Sequence, residues 1–108
     1  MIVTIAVGNS DDKLSQSEWA AFIADITRLV EQAREDDGAH IHFAGFSAPA
    51  APWQNALWAL DLTTAASPAA RGWLRTELAD LCGLYRQDAI AWWEAGQTEM
   101  IPPAVVGG

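Results

Sequence analysis

The clearest hydrophobic pattern in the chain predicts an amphipathic helix over residues 14–38. Ser15 and Glu18 stand three positions apart at its start, which is the spacing of a capping box, where each side chain bonds to the backbone of the other residue. Leu14 and Trp19 occupy the positions of a hydrophobic staple. The apolar residues of the segment recur every three or four positions and therefore share one face of a helix. They are Trp19, Phe22, Ile23, Ile26, Leu29, Val30 and Ala33.

Other segments have the apolar, β-branched or alternating composition of strands, and one more is typical of a second helix. The strands are predicted at residues 2–7, 39–46, 53–62 and 89–94. Ser67 and Pro68 suit the N-cap and the first position of the second helix. Its buried stripe is predicted to contain Ala70, Leu74, Leu78, Leu81 and Tyr85. Residues 98–101 are expected to extend the last strand, and residues 102–108 to form a flexible tail.

The order strand, helix, strand, strand, helix, strand predicts an α+β fold of ferredoxin-like type, in one domain over residues 1–101. Two helices then cover one face of a four-stranded antiparallel sheet, whose first and third strands are central. Adjacent Trp92 and Trp93 must point to opposite faces. Because Asp88 and Glu94 share the parity of Trp92, we expect Trp93 in the core and Trp92 on the open face. The helix-covered face is predicted to collect Val3, Ile5, Val7, Ile41, Phe43, Trp58, Leu60 and Leu62.

The composition is that of a folded, acidic domain. Hydrophobic residues make up 51% of the 108 positions, and the formal net charge is −8. This charge argues against binding to a nucleic-acid backbone or an anionic membrane surface, because both require clustered Lys and Arg. A basic partner protein fits the charge better. The single cysteine, Cys82, forms no intramolecular disulfide, and no signal-peptide pattern follows Met1, so we expect a cytoplasmic protein.

Three stretches of the chain resemble small bacterial and phage domains of ferredoxin-like type to which no activity is assigned. These stretches are residues 8–14 (GNSDDKL) before a helix with Trp19, residues 53–58 (WQNALW) and residues 85–92 (YRQDAIAW). The resemblance implies the fold. It implies no site residue, cofactor or substrate.

Two histidines are the first candidates for chemistry. His40 and His42 lie two positions apart on a predicted strand, so both imidazoles project from one face. Such a pair can supply two metal ligands, or an acid and a base beside a substrate. A metal site needs a third ligand, and Asp61 on the neighbouring strand has only a suitable parity. The alternative is two ordinary polar residues on an exposed edge strand, so the sequence assigns no metal and no cofactor.

Arg86 and two tryptophans complete the set of binding candidates. Arg86, together with Gln87 and Asn55, can donate hydrogen bonds to an anionic or amide-bearing ligand. Alternatively, Arg86 only complements the helix dipole and pairs with Asp88. Trp53, at the mouth of a Pro-containing loop, and Trp92 are expected to be partly exposed. Partly exposed tryptophans are typical of interfaces and stacking sites.

These patterns predict a non-catalytic binding module, an oligomer that holds a small planar ligand or a partner protein on its Trp-bearing open sheet face. Two alternatives are open. One is an acidic phage-type inhibitor that occupies a basic site on a host protein, and the other is a small dimeric ferredoxin-like enzyme that uses His40 or His42. The candidate ligand-binding residues are Trp53, Asn55, Trp92, Arg86, His40 and His42.

Overall fold

A computed structural model describes residues 2–9, 13–48, 54–62, 67–94 and 97–100 of the chain. The predictions for Trp53 and for the tail at 102–108 fall outside these residues. The described part is an α+β structure with two helices and one sheet. Its elements are β1 (Ile2–Gly8), α1 (Gln16–Asp37), β2 (His40–Phe46), β3 (Asn55–Asp61), α2 (Ser67–Leu84), β4 (Ala91–Glu94) and β5 (Gln97–Met100).

The sheet is antiparallel, and its strand order is β2-β3-β1-β4-β5. The prediction that the first and third strands are central is therefore confirmed. The prediction that residues 98–101 extend the last strand is wrong, because Glu94 pairs with Gln97 and β5 runs back beside β4. Two residues separate these partners in the chain, which is the commonest length of a hairpin connection. The sheet thus has a fifth strand at its edge.

Helix α1 begins with the capping box that the sequence predicts. The backbone N–H of Glu18 donates to Ser15 Oγ at 3.2 Å, and the backbone N–H of Ser15 donates to Glu18 Oε1 at 2.9 Å. The helix ends at Gly38, whose φ of 73° lies in the left-handed region that favours glycine. The predicted face is confirmed as well. Its buried members are Trp19, Phe22, Ile26, Val30 and Ala33.

The hydrophobic core lies between the sheet and the two helices. From the sheet it contains Val3, Ile5, Val7, Trp58, Leu60 and Leu62, as predicted. From α2 it contains Leu74 and Leu78, while Leu81 and Tyr85 pack against it half-buried. None of the helices in the described part of the chain is both long and apolar enough to cross a membrane.

Phe43 does not join this core, and 54% of it is exposed. Ile41 pairs with Leu60, but Phe43 already pairs with Ala59, so β2 carries one extra residue in a β-bulge. A shift of one residue turns every following side chain to the other face of the sheet. Phe43 therefore lies on the face away from the helices, and the prediction that it is covered is wrong.

The face assignment of the two adjacent tryptophans is also wrong. Trp92 is completely buried opposite Ile5, whereas Trp93 is half-buried opposite Thr4 on the other face. The polar flank that suggested the opposite assignment has partners of its own. Glu94 accepts a hydrogen bond from Trp92 Nε1 at 3.1 Å, and it forms an ion pair with Arg71 at 3.2 Å. A carboxylate with such partners can lie at the edge of the helix-covered face of a sheet. The presence of Glu94 therefore does not identify the face of Trp92 as the open face.

Candidate functional site

The sheet face opposite the helices, here called the open face, is the candidate binding surface. The strand register arranges its side chains in rows across the sheet. One row is Phe43, Ala59, Thr4 and Trp93, and the next is Gly45, Leu57, Ala6 and Ala91. Apart from Thr4, these residues are apolar or glycine. No described helix covers them.

In the first of these rows two aromatic side chains, here called the ridges, flank small side chains, and the strip of small side chains between them is here called the trough. Phe43 on β2 and Trp93 on β4 are separated by the small residues Ala59 and Thr4. Three inter-strand steps separate the ridges, which corresponds to about 14 Å. On one side the Phe43 ring lies over Gly45, because a Cβ at Gly45 would come 2.5 Å from Phe43 Cζ. Any larger residue at this position would displace the ring.

The open face carries little charge. Among the side chains that the structure describes there, Asp61 is the only acidic one, and it lies at the end of β3. Its carboxylate Oδ2 is 3.8 Å from Nε2 of His42, within ion-pair range when that histidine is protonated. The net charge of −8 therefore resides mainly on other surfaces.

The two predicted histidines come together at this corner of the sheet. The ring centroids of His40 and His42 are 4.7 Å apart in an edge-to-face arrangement. Asp61 is their acidic neighbour, as its parity suggested. The separation of 3.8 Å from His42 is too long for a direct hydrogen bond. Within the ranges that the structure describes, no group of three or more His, Cys, Asp or Glu side chains is arranged to hold a metal ion.

Arg86 lies elsewhere, at the end of α2. Its guanidinium donates to Glu18 Oε2 at 2.9 Å, whereas Asp88 pairs with Lys13 at 2.7 Å. The suggested pairing of Arg86 with Asp88 is therefore wrong. Hydrogen bonds from the Ser15 backbone and from Arg86 lower the pKa of Glu18.

The backbone of Arg86 is unusual, since its φ of 55° is left-handed in a residue other than glycine. Its N–H donates to Gly83 O at 3.1 Å, and the N–H of Gln87 donates to Cys82 O at 2.8 Å. This is the Schellman pattern, in which glycine is the usual residue. The side chain at this position thus ties the end of α2 to the first turn of α1.

The predicted site residues do not form one site. Asn55 is exposed on the open face, but it pairs with Gly8 at the opposite end of β3 from the histidines. That end of the sheet is fixed by a buried amide network absent from the sequence predictions. Asn9 Nδ2 donates to Leu14 O at 3.0 Å and to Gln54 Oε1 at 3.1 Å. Trp92 is in the core, and Trp53 is outside the described residues.

Sequence reasoning missed the two aromatic ridges of the open face, Phe43 and Trp93. A signal for Trp93 is present in the sequence. Ile90 and Trp92 are large apolar residues of one parity, whereas Ala91 shares the parity of Trp93. Large residues at alternate positions indicate the core face more strongly than one charged neighbour does. The sequence contains no comparable signal for the β-bulge that turns Phe43 onto the open face.

Comparisons of the chain with protein-family models, with curated proteins and with solved structures found no match.

Proposed function

We propose that this protein is a non-catalytic binding module whose open face binds a second copy of the chain, forming a homodimer. The observation that carries the proposal is the row from Phe43 to Trp93, which leaves a phenyl ring 54% exposed on a sheet face without charged residues at its centre. Contiguous exposed apolar surface on a folded domain is typical of interaction sites.

The shape of the open face favours a second copy as the occupant. A two-fold interface brings the same patch from both subunits together, so the patch must be complementary to itself. A trough between two aromatic ridges satisfies this condition, because a ridge of one copy can enter the trough of the other. Two sheets packed in this way lie about 10 Å apart, a gap that side chains of this size fill.

The distribution of charge supports the same occupant. Two chains of charge −8 repel each other in general. Contact through the open face keeps most acidic side chains away from the interface, because the described ones lie chiefly on the helices and at the ends of strands. The one described acidic side chain on the open face, Asp61, lies at the end of β3 rather than at the centre of the face.

We further propose that the fold is of ferredoxin-like type, with β5 added at one edge. The order β2-β3-β1-β4 and the placement of both helices on one side support this assignment. We also propose a cytoplasmic location, supported by the free thiol of Cys82, since thiols persist in reducing compartments.

The experiment that tests the proposal is sedimentation equilibrium of the parent and of two matched variants. Phe43→Thr removes an exposed ring from the open face, and Phe46→Thr removes an equally exposed ring, 56% against 54%, from the same strand on the helix side. Threonine keeps the β-propensity of the strand in both variants. We expect the dimer dissociation constant to rise at least about tenfold for Phe43→Thr and to change little for Phe46→Thr.

Two results would contradict the proposal. A parent that is monomeric at hundreds of micromolar excludes dimerisation as its function. Equal weakening by both variants would place the contact away from the open face. Native mass spectrometry of the same samples reports any retained small molecule. A monomer that retains a planar compound would indicate that the open face binds a small ligand instead of a second copy.

A further inference from the structure

A groove between the two helices lies on the opposite side of the molecule from the open face. It has a volume of about 260 Å³ and lies between the end of α1 and the beginning of α2. Its lining residues are Gln32, Asp36, Asp37, Ala69, Ala70 and Trp73. Because it belongs to the helix layer, what it binds does not depend on association through the sheet.

The groove is open near the beginning of α2, where two consecutive residues are small. At the other end the helices are in close contact, since the rings of Phe22 and Tyr85 lie 4.8 Å apart and Tyr85 Oη donates to Asp25 at 2.6 Å. At the groove, α2 contributes Ala69 and Ala70, whose methyl groups leave the space between the helices unfilled.

The electrostatic character of the groove is negative. The partial charges at the end of α1 and at the start of α2 are opposite and each about half an elementary charge, so they largely cancel. The carboxylates of Asp36 and Asp37 therefore set its sign.

Trp73 adds a second recognition element. Its indole is half-buried and lines the groove together with the two carboxylates. An aromatic face beside carboxylates attracts a cation through the ring quadrupole as well as through charge. Guanidinium suits this combination best, because it is planar, stacks on aromatic rings and donates several hydrogen bonds in one plane.

We propose that this groove binds an arginine side chain presented by a basic segment of a partner protein. The guanidinium stacks on Trp73 and donates to Asp36 and Asp37, while Ala69 and Ala70 leave room for its aliphatic stem. The net charge of −8 supports this occupant, because a strongly acidic protein accelerates the approach of a basic one.

The test uses a capped tetra-arginine peptide and the full chain with ¹⁵N-labelled tryptophan. The indole N–H signal of Trp73 is assigned by its loss in Trp73→Phe, and its shift is followed during titration at two salt concentrations. The test variant is Asp36→Asn with Asp37→Asn. The matched control is Glu77→Gln with Asp80→Asn, which removes the same number of charges from α2 outside the groove.

We expect a saturable shift of the Trp73 signal. The peptide dissociation constant should rise about tenfold in the Asp36/Asp37 variant and less than about threefold in the control. Equal weakening in both variants would show only diffuse attraction to an acidic protein and would overturn the proposal. So would a titration in which other indole signals move and that of Trp73 does not. Urea unfolding of each variant verifies that it is folded.

Discussion

Replacement of Trp92 by alanine should be among the most destabilising single changes in this protein. The side chain is completely buried opposite Ile5, its Nε1 donates to Glu94 at 3.1 Å, and the guanidinium carbon of Arg75 lies 5.1 Å from its ring centroid. Truncation of a buried tryptophan costs about 3–5 kcal/mol, mainly through the cavity and the lost apolar burial. A domain of this size has only about 5–15 kcal/mol of stability in total.

The comparison variant is Trp93→Ala, one position along the same strand. Trp93 is half-buried on the open face, so its loss should cost about 1 kcal/mol in the monomer. Urea unfolding followed by circular dichroism measures both effects. Each variant must be unfolded at two protein concentrations, because dimerisation adds a concentration-dependent term to the apparent stability. At the lower concentration, Trp92→Ala should have the far lower urea midpoint.

The reverse ranking would refute this reasoning. If Trp93→Ala were the more damaging change at low protein concentration, the faces of β4 would be exchanged, and the open face would lose one of its two ridges. Trp92→Phe refines the measurement, because phenylalanine keeps most of the buried ring and removes the donor to Glu94. Its cost should therefore lie well below that of Trp92→Ala.

Three further predictions follow from local geometry. Ser15→Ala should cost about 0.5–2 kcal/mol through the lost cap, and Ile26→Ala about 2–5 kcal/mol through a cavity; urea midpoints that reverse this order contradict the buried face of α1. Arg86→Gly should be more stable than Arg86→Ala by about 1 kcal/mol, because only glycine adopts a left-handed φ without a Cβ penalty. The hydrogen bond from Tyr85 holds the pKa of Asp25 below its ordinary value of 3.8. This hydrogen bond therefore stabilises the fold at pH values above 3.8, and its contribution is lost as the pH falls through the lowered pKa. Tyr85→Phe should thus lower the urea midpoint near neutral pH, and a midpoint that falls as steeply with acid as in the parent would argue against this linkage.

The features that the sequence predicts well are those determined by neighbouring residues. The capping box involves only Ser15 and Glu18, and its hydrogen bonds are present as expected. The buried face of α1 follows from the spacing of its apolar residues, which places them on one side of the helix. Tertiary packing reinforces this pattern, because the apolar side of the helix is the side that contacts the core. The central positions of β1 and β3 follow from the order of elements, because few topologies accommodate that order.

The predictions that fail depend on partners distant in the chain. The charge of Glu94 favours a solvent-exposed face for its neighbour Trp92, but Arg71, which lies 23 residues away, pairs with this carboxylate. The sequence suggests that Arg86 pairs with nearby Asp88, yet its partner is Glu18, at a separation of 68 residues. A single sequence contains no information on which of several equivalent charges will meet, because the choice is made by the packing of whole elements.

The bulge in β2 connects the failed prediction to the proposed function. β2 is one of the two edge strands of the described sheet, and a bulge there distorts the row of unpaired backbone groups that would otherwise attract another strand. The same extra residue turns Phe43 onto the open face, where its ring lies over Gly45. One local irregularity thus disfavours association along the edge of the sheet and supplies an apolar ridge for association through its face. If a second copy binds on this side of the molecule, it should therefore meet the face of the sheet rather than pair with β2.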